Sequence, residues 1–367
     1  MNIGIPRERR PFEYRVGQSP AGVEILSRLG HTCFVEHEAG IGAGFSDQEY
    51  ESAGARIVYS PDEVFGRADL LLKVSRPMKD ELEWLQPGSI LTGFLHLASA
   101  RQDKIDILLK RGIASIAYEQ IQMPDGSRPV LRPFSQIGGA MAVQTAARLL
   151  QNNWGGKGIL LGGVPGVPPA EVVIIGGGVV GTYAAQAFLG LGAHVTIIDK
   201  ELGVLQRIYD RFPGVVTMIS TPRNIERATA YADVVITAVL VPGQRAPLLV
   251  TREMVRAMKP RSLIIDVSID EGGCVETSRP TTHEHPVFVE ESVLHYCVPN
   301  MPGVVARTAT HAFVNASMLF IIDLAEMGIQ KAIKTNPALE LAVNTIDGKL
   351  HHLSRLTNGE DVDDGLG

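Results

Sequence analysis

Gly176-x-Gly178-x-x-Gly181 follows an apolar run at 172–175, opens a small-residue stretch and leads to a second apolar run that ends on Asp199. These residue types at this spacing have the chemistry to hold a dinucleotide. Gly176 makes the tight turn out of a strand, Gly178 lets a pyrophosphate approach the backbone, and Gly181 lets the following helix pack closely on the strand. The helix N-terminus then faces the phosphates. Asp199 can accept hydrogen bonds from an adenosine ribose and would repel a 2′-phosphate, which favours NAD over NADP. A glycine-rich turn without a ligand is the bland alternative, and the two flanking apolar runs and the acid weigh against it.

Other reactive side chains close apolar runs, where ligands of parallel sheets bind. Lys73 follows Asp69-Leu-Leu-Leu, and His96 follows Ile90-Leu-Thr-Gly-Phe-Leu. A strand-end lysine is often just a solvated charge, and a lone histidine can simply bond a carbonyl. Arg15, in the loop before Pro20, reads by itself as an ordinary exposed arginine. Asp270 precedes Glu271-Gly272-Gly273; it could position water or contact a nicotinamide ribose, or it could cap the turn. His283-Glu284-His285 has two histidines only two apart, followed by Pro286 and without a third ligand nearby, so no metal site is expected.

The elements that must place these groups can be read from apolar patterning. Short strands are expected at NIGIP, TCFVEHEAG, DLLLKVS, SILTGFLHLAS and IASIAYEQ, with amphipathic helices at PAGVEILSRLG and RQDKIDILLKRG between them. That alternation implies an α/β domain on a parallel sheet. Residues 133–153 read as a long linker helix, followed by the glycine- and proline-rich GGKGILLGGVPGVPP. Strands follow the dinucleotide unit at ADVVITAVL, SLIIDVSID and VLHYCVPN. A helical run from about Thr308 returns toward the first domain, and an acidic tail from Asn358 is expected to be mobile. The chain is therefore expected to be α/β, with a Rossmann-type doubly wound NAD-binding domain at 131–306 inserted into an α/β substrate domain at 1–130 and 307–367.

Composition bounds the function. With 367 residues, two domains are the natural prior, and 45% apolar and 20% charged residues suit a soluble enzyme. A net charge of −6 without a Lys/Arg cluster offers no attraction to nucleic acid or anionic membrane, so small molecules and copies of the chain are the expected partners. The N-terminus lacks a signal-peptide core, no uninterrupted apolar stretch reaches the length of a membrane span, and a cytoplasmic location is expected. Cys33, Cys274 and Cys297 lack a CxxC pair and read as buried reduced thiols.

Longer motifs resemble the alanine dehydrogenase family, which includes the nucleotide-binding subunit of transhydrogenase. They include Gly4-Ile5-Pro6-x-Glu8, Arg15-Val16, Ser19-Pro20-Ala21-Gly22-Val23, Leu71-Leu72-Lys73-Val74, Phe94-Leu95-His96-Leu97-Ala98 and Ala117-Tyr118-Glu119. The resemblance continues in Gly162-Gly163-Val164-Pro165-Gly166-Val167, Ala238-Val239-Leu240-Val241-Pro242-Gly243, Asp270-x-Gly272-Gly273-Cys274, Ser278-Arg279-Pro280-Thr281 and Asn300-Met301-Pro302-Gly303. It covers essentially the whole chain.

The resemblance implies NAD-dependent, reversible oxidative deamination of L-alanine to pyruvate and ammonia, at a substrate site between domains. Arg15 and Lys73 match the basic pair that grips the substrate's carboxylate and carbonyl oxygen, His96 matches the acid/base, and Asp270 the second catalytic residue. The implied NAD contacts are Ser135, Gly176, Gly178, Val179, Val180, Gly181, Asp199, Ser220, Val239, Leu240, Val267, Ser268, Ile269, Asp270, Arg279, Val298, Pro299, Asn300 and Met301. A homohexamer is implied, and the apolar segment 318–322 suits either a core or a subunit contact. The chain departs from the family pattern at Gln136 and Ala140, where an acid and an arginine are usual, at Val204 in place of a lysine, and at Met327 in place of a histidine that pairs with the glutamate at Glu119 in ion-binding relatives. A thioether is a poor magnesium ligand, so no ion is expected there. Two alternatives remain open: a dehydrogenase or reductase for another small amino or keto acid, and a transhydrogenase-type subunit, which would lack the amino-acid-binding set.

Overall fold

In the computed structural model, residues 1–241 and 245–353 are described. The acidic tail from Asn358, and Pro242 and Gly243 of the 238–243 motif, lie outside them. The chain divides into two compact units, Met1–Phe134 with Gly303–Gly367, and Ser135–Pro302.

The first unit begins with strands and helices in alternation: β1 (Asn2–Ile5), α1 (Pro20–Arg28), β2 (Thr32–Glu36), α2 (Asp47–Ser52), β3 (Arg56–Val58), α3 (Pro61–Arg67), β4 (Leu70–Ser75), α4 (Lys79–Trp84), β5 (Ile90–Phe94), α5 (Gln102–Lys110) and β6 (Ala114–Ala117). Local chemistry sets the helix starts. Ser19 accepts from the Gly22 amide while Pro20 sits in the first turn of α1, and Ser46 with Glu49 forms a capping box on α2. The β1–β6 strands pair in parallel. Leu71 and Leu91 pack beneath Phe65, Leu82, Ile105 and Leu108 of α3, α4 and α5.

Helix α6 (Arg132–Leu149) leads into the second unit, which contains β7 (Glu171–Ile175), α7 (Val179–Gly190), β8 (His194–Asp199), α8 (Leu202–Arg211), β9 (Val216–Ile219), α9 (Pro222–Tyr231), β10 (Val234–Thr237), α10 (Arg252–Arg256), β11 (Leu263–Asp266), β12 (Val287–Glu290) and β13 (Val293–Tyr296). The sheet order is β12-β13-β11-β10-β7-β8-β9, parallel except for the edge strand β12. Alternation of apolar residues explains its two covers, because successive strand side chains point to opposite faces. Val172, Ile174, Val234 and Ile236 meet Ala146 of α6, Phe188 of α7 and Ile208 of α8 on one face, while Val173, Ile175 and Val235 meet Ile225 of α9 and Val255 of α10 on the other. This is a doubly wound sheet.

The chain then returns to the first unit through α11 (Ala306–Thr335), α12 (Pro337–Leu341), β14 (Val343–Ile346) and β15 (Lys349–Leu350). The completed sheet runs β15-β14-β6-β5-β4-β1-β2-β3. The early alternating segments form the expected parallel sheet, and the returning chain extends it with two strands of opposite sense: β14 joins β6 antiparallel, and β15 joins β14 antiparallel. The helical stretch Met301–Thr335, which includes α11, is long and apolar enough to cross a membrane by length and composition, but it is not an uninterrupted apolar run. Charged residues such as Asp323 and Glu326 interrupt the run, and Phe313, Ile321 and Leu324 are buried. The helix kinks at Gly328. Within 318–322, Met318, Phe320 and Ile321 are buried, whereas Leu319 points outward. All three cysteines are free and buried, and burial pushes each thiol up to about 11.

Candidate active site

Strand order gives the first unit one candidate site. β2 and β3 lie on one side of β1 and β4 on the other, so the loops leaving β1 and β4 diverge at a switch point, where open parallel sheets bind ligands. The β1 loop carries Glu8, Glu13 and Arg15, and β4 carries Lys73 and Ser75. Gly17 permits the close approach of the two: a Cβ there would fall 2.0 Å from the Leu72 carbonyl oxygen.

Arg15 is not the exposed arginine that its neighbours in sequence suggested; it is 5% exposed and paired with Glu13. Its Nε donates to Glu13 Oε1 at 2.6 Å, and a second guanidinium nitrogen donates to Oε2. The Ser75 hydroxyl donates to the same carboxylate at 2.7 Å, and the guanidinium lies 4.4 Å from the centre of the Phe134 ring. Burial opposes ionisation of Glu13, but Arg15 and the hydrogen bonds prevail and hold its pKa at about 2.

Lys73 is fully buried, which removes the solvated-charge alternative. Its Nζ donates to Glu81 Oε1 of α4 at 2.8 Å and lies 3.1 Å from Glu8 Oε2. Glu8 uses its other oxygen to accept the Val74 amide at 2.6 Å and the Ser75 amide at 3.3 Å. Burial disfavours the Lys73 ammonium, yet the two carboxylates more than offset it and raise its pKa above the usual lysine range. Burial pushes the Glu8 carboxyl up, against the pull of Lys73.

His96 stands two residues beyond Phe94, whose register partner is Ser75 of β4. Its φ is +43°, a left-handed conformation uncommon outside glycine. Glu119 provides the compensation: its carboxylate accepts the His96 amide at 2.7 Å and the Leu95 amide at 3.2 Å. The imidazole is exposed at the carboxyl edge of the sheet. Arg15, Lys73 and His96 are thus carried on neighbouring strands of one edge. Below them Tyr118 bonds Thr92, and Phe94, Tyr118, Phe134 and Phe313 form an aromatic cluster.

In the second unit, order reverses between β7 and β10, and the glycine loop leaves β7 there. Gly176 has φ +104°, open to glycine at no cost, and a Cβ at Gly181 would fall 1.9 Å from the Gly176 oxygen. At Gly178, which precedes the first turn of α7, a Cβ would meet nothing within 4 Å. Asp199 Oδ2 accepts the Gly177 amide at 2.7 Å, so the acid also shapes the loop. The Ser220 amide bonds the Asp199 carbonyl, and the Val239 amide bonds Ser268 Oγ, while Leu240 is exposed. Val267, Ser268, Ile269 and Asp270 form a 3-10 turn after β11. The residue that caps this turn is Asp266, which accepts from Ser268; exposed Asp270 accepts the Asn300 amide at 3.3 Å instead.

These residues, with Pro299 and Asn300 after β13, gather at the carboxyl edge of the second sheet, whereas Val298 and Met301 pack into its core. Arg279 lies over the Phe288 ring, 4.3 Å from its centre. Ser135 lies on α6 one turn before Gly139, whose Cβ would fall 2.4 Å from the Val180 oxygen at the start of α7. Gln136 donates to the Tyr183 hydroxyl at 2.8 Å, a partner for the amide that replaces the usual acid. Asp270 belongs to a different unit from Arg15, Lys73 and His96. Sequence reading quoted Glu8 and Glu119 within motifs without finding their partners. It missed Glu13 and Glu81, whose types and spacing announce nothing until β1, β4 and α4 are placed.

Comparison with known proteins agrees with both sheets. Residues 4–138 match the family model "Alanine dehydrogenase/PNT, N-terminal domain", and residues 142–353 match "Alanine dehydrogenase/PNT, C-terminal domain". An alanine dehydrogenase of Halomonas elongata is 48% identical, with 95% of this chain and 94% of the relative covered. One from Mycobacterium tuberculosis is 45% identical over the same shares, 95% and 94%. The structure of an L-alanine dehydrogenase superposes with a TM-score of 0.92 at 45% identity, covering 96% of this chain and 97% of that one. A transhydrogenase from Sinorhizobium meliloti gives 0.81 at 27% identity, covering 96% and 99%. The doubly wound second unit, the mixed sheet of the first and these near full-length matches make the chain a member of the alanine dehydrogenase/PNT family.

Proposed function

We propose that this enzyme is an NAD-dependent L-alanine dehydrogenase, converting L-alanine, NAD and water reversibly to pyruvate, ammonium, NADH and a proton. The observation that carries the reading is the buried, carboxylate-anchored pair Arg15 and Lys73 on one sheet edge with exposed His96, in a chain 45–48% identical to alanine dehydrogenases. The glycine loop suits a dinucleotide: the side of Gly178 is open, and the first turn of α7 carries no acidic residue to repel phosphate. Asp199, Ser220, Val239, Asn300 and the 267–270 turn would hold the remainder of NAD, and Asp199 favours it over NADP. The chemistry NAD supplies is acceptance of a hydride from the amino acid's α-carbon.

The chain's own groups do the rest. The Arg15 guanidinium binds the substrate carboxylate, and the Lys73 ammonium stabilises negative charge growing on the carbinolamine or carbonyl oxygen. His96 accepts a proton from water as the imine is hydrated and returns one to the departing amine. Asp270, exposed after β11, is the second catalytic residue of this proposal. The same proposal includes a cytoplasmic location and assembly as a homohexamer, which light scattering would report as six times the chain mass.

The test is NADH formation with a panel of L-amino acids, and NADH consumption with pyruvate and ammonium. Turnover with alanine, and much less with other amino acids, is expected. Absence of turnover with both alanine and pyruvate refutes the reading, and preference for another amino or keto acid favours a related dehydrogenase. The relative at 27% identity motivates a transhydrogenase-type alternative, which predicts hydride exchange between dinucleotides without amino-acid turnover.

A further inference from the structure

We infer that Glu8 and Glu81 are positioning residues for Lys73: together they hold its Nζ at one point on the carboxyl edge of the first sheet and keep it a permanent cation, excluding it from proton transfer. The inference deepens the proposed function and rests on the role given there to Lys73.

The geometry comes from three separate elements. Glu8 lies on the β1 loop, anchored through one oxygen by the Val74 and Ser75 amides, so its position is set by the same strand that carries Lys73. Glu81 lies on α4, where Oε2 accepts the Met78 amide at 2.7 Å and leaves Oε1 aimed at Nζ. Both carboxylates are therefore fixed before they meet the lysine. Nζ donates to Glu81 and lies 3.1 Å from Glu8 Oε2, and because an ammonium has three donors, one remains for a substrate oxygen.

The surrounding charges are few. Arg9 Nε lies 3.9 Å from Glu81 Oε1 and also pairs with Glu36; Glu13, committed to Arg15, acts on Glu8; and the Phe65 ring of α3 lies 5.9 Å from Nζ. No second lysine and no histidine appears among these partners. An ammonium in full burial tends to shed its proton; two adjacent carboxylates reverse that tendency. A lysine so placed stabilises a developing oxyanion at every working pH, and proton exchange falls to His96.

The test compares wild type with Glu8→Gln, Glu81→Gln and the charge-conserving Glu81→Asp. Three quantities are measured: the pH dependence of kcat/KM for pyruvate, the separate kcat and KM values, and the 13Cε shift of Lys73, assigned by its loss in Lys73→Arg. In wild type the Lys73 signal is expected not to titrate below about pH 10.5, the ordinary lysine value. Each Gln variant should move the Lys73 midpoint down by about one pH unit or more, add an alkaline limb to kcat/KM and raise KM for pyruvate. Glu81→Asp should restore the wild-type limb. A purely structural role would lower stability without creating the limb. Titration of Lys73 below about pH 10.5 in wild type overturns the inference, even if no variant folds. So do Gln variants with unchanged midpoint and KM. Wild type inactive on pyruvate defeats the proposed function alone, because the 13Cε titration still decides the state of Lys73.

Discussion

A carboxylate held at a pKa of about 2 makes the Glu13–Arg15 clasp sensitive to acid. The folded value lies below the ordinary one, so the clasp contributes its full stability above about pH 4.5 and loses it as pH falls toward 2. A depression of this size corresponds to on the order of 3 kcal/mol. Glu8 has the opposite sign: its raised pKa favours the fold at low pH and ceases to do so as pH rises through that value. Urea unfolding across this acid range should show wild type losing stability that Glu13→Gln does not lose; equal slopes for the two proteins would show that the clasp is not the acid-labile group. Residues of this kind are poorly legible in sequence. Lys73 and His96 stood out because each closes an apolar run, but nothing local distinguishes Glu13 or Glu81 from surface acids, since their partners arrive through the crossover from β1 to β4.

Among the elements, the β7–α7 turn was the most legible, because each glycine there answers a local steric demand. A methyl group at Gly181 would collide with the Gly176 carbonyl at 1.9 Å and force α7 away from β7, whereas at Gly178 it would enter open space. Gly181→Ala should therefore cost about 1–3 kcal/mol of stability or more. Gly178→Ala should leave stability within about 0.5 kcal/mol yet weaken NADH binding severalfold. Thermal unfolding and NADH fluorescence titration separate the two effects; equal destabilisation by both would contradict the geometry. Shorter elements escaped detection for physical reasons. β3 has three residues with an exposed arginine, β9 is partly exposed throughout, and β14 finds β6 across more than two hundred residues. The antiparallel edge of the first sheet was hidden by that last separation.

For the whole molecule, the division of the chain matters more than its length. The second unit is one continuous segment, 135–302, with its own sheet and two buried covers. Expressed alone, it should fold cooperatively and bind NADH while showing no affinity for pyruvate; an unfolded fragment by circular dichroism would show that the first unit is required. Residues 1–134 lack this autonomy. They leave β6 without β14, and Phe94 and Tyr118 without Phe313.

That discontinuity dictates an order of events during synthesis on the ribosome. The first six strands emerge early but cannot finish their sheet, because its eighth-strand partner chain ends only near residue 350. The inserted unit, emerging next and complete in itself, has everything it needs to fold first. Until α11 leaves the exit tunnel, the aromatic face beneath His96 stays bare to water, a sticky surface on a nascent chain that suits a chaperone's grip. The first unit, first to be translated, is thus the last to be finished.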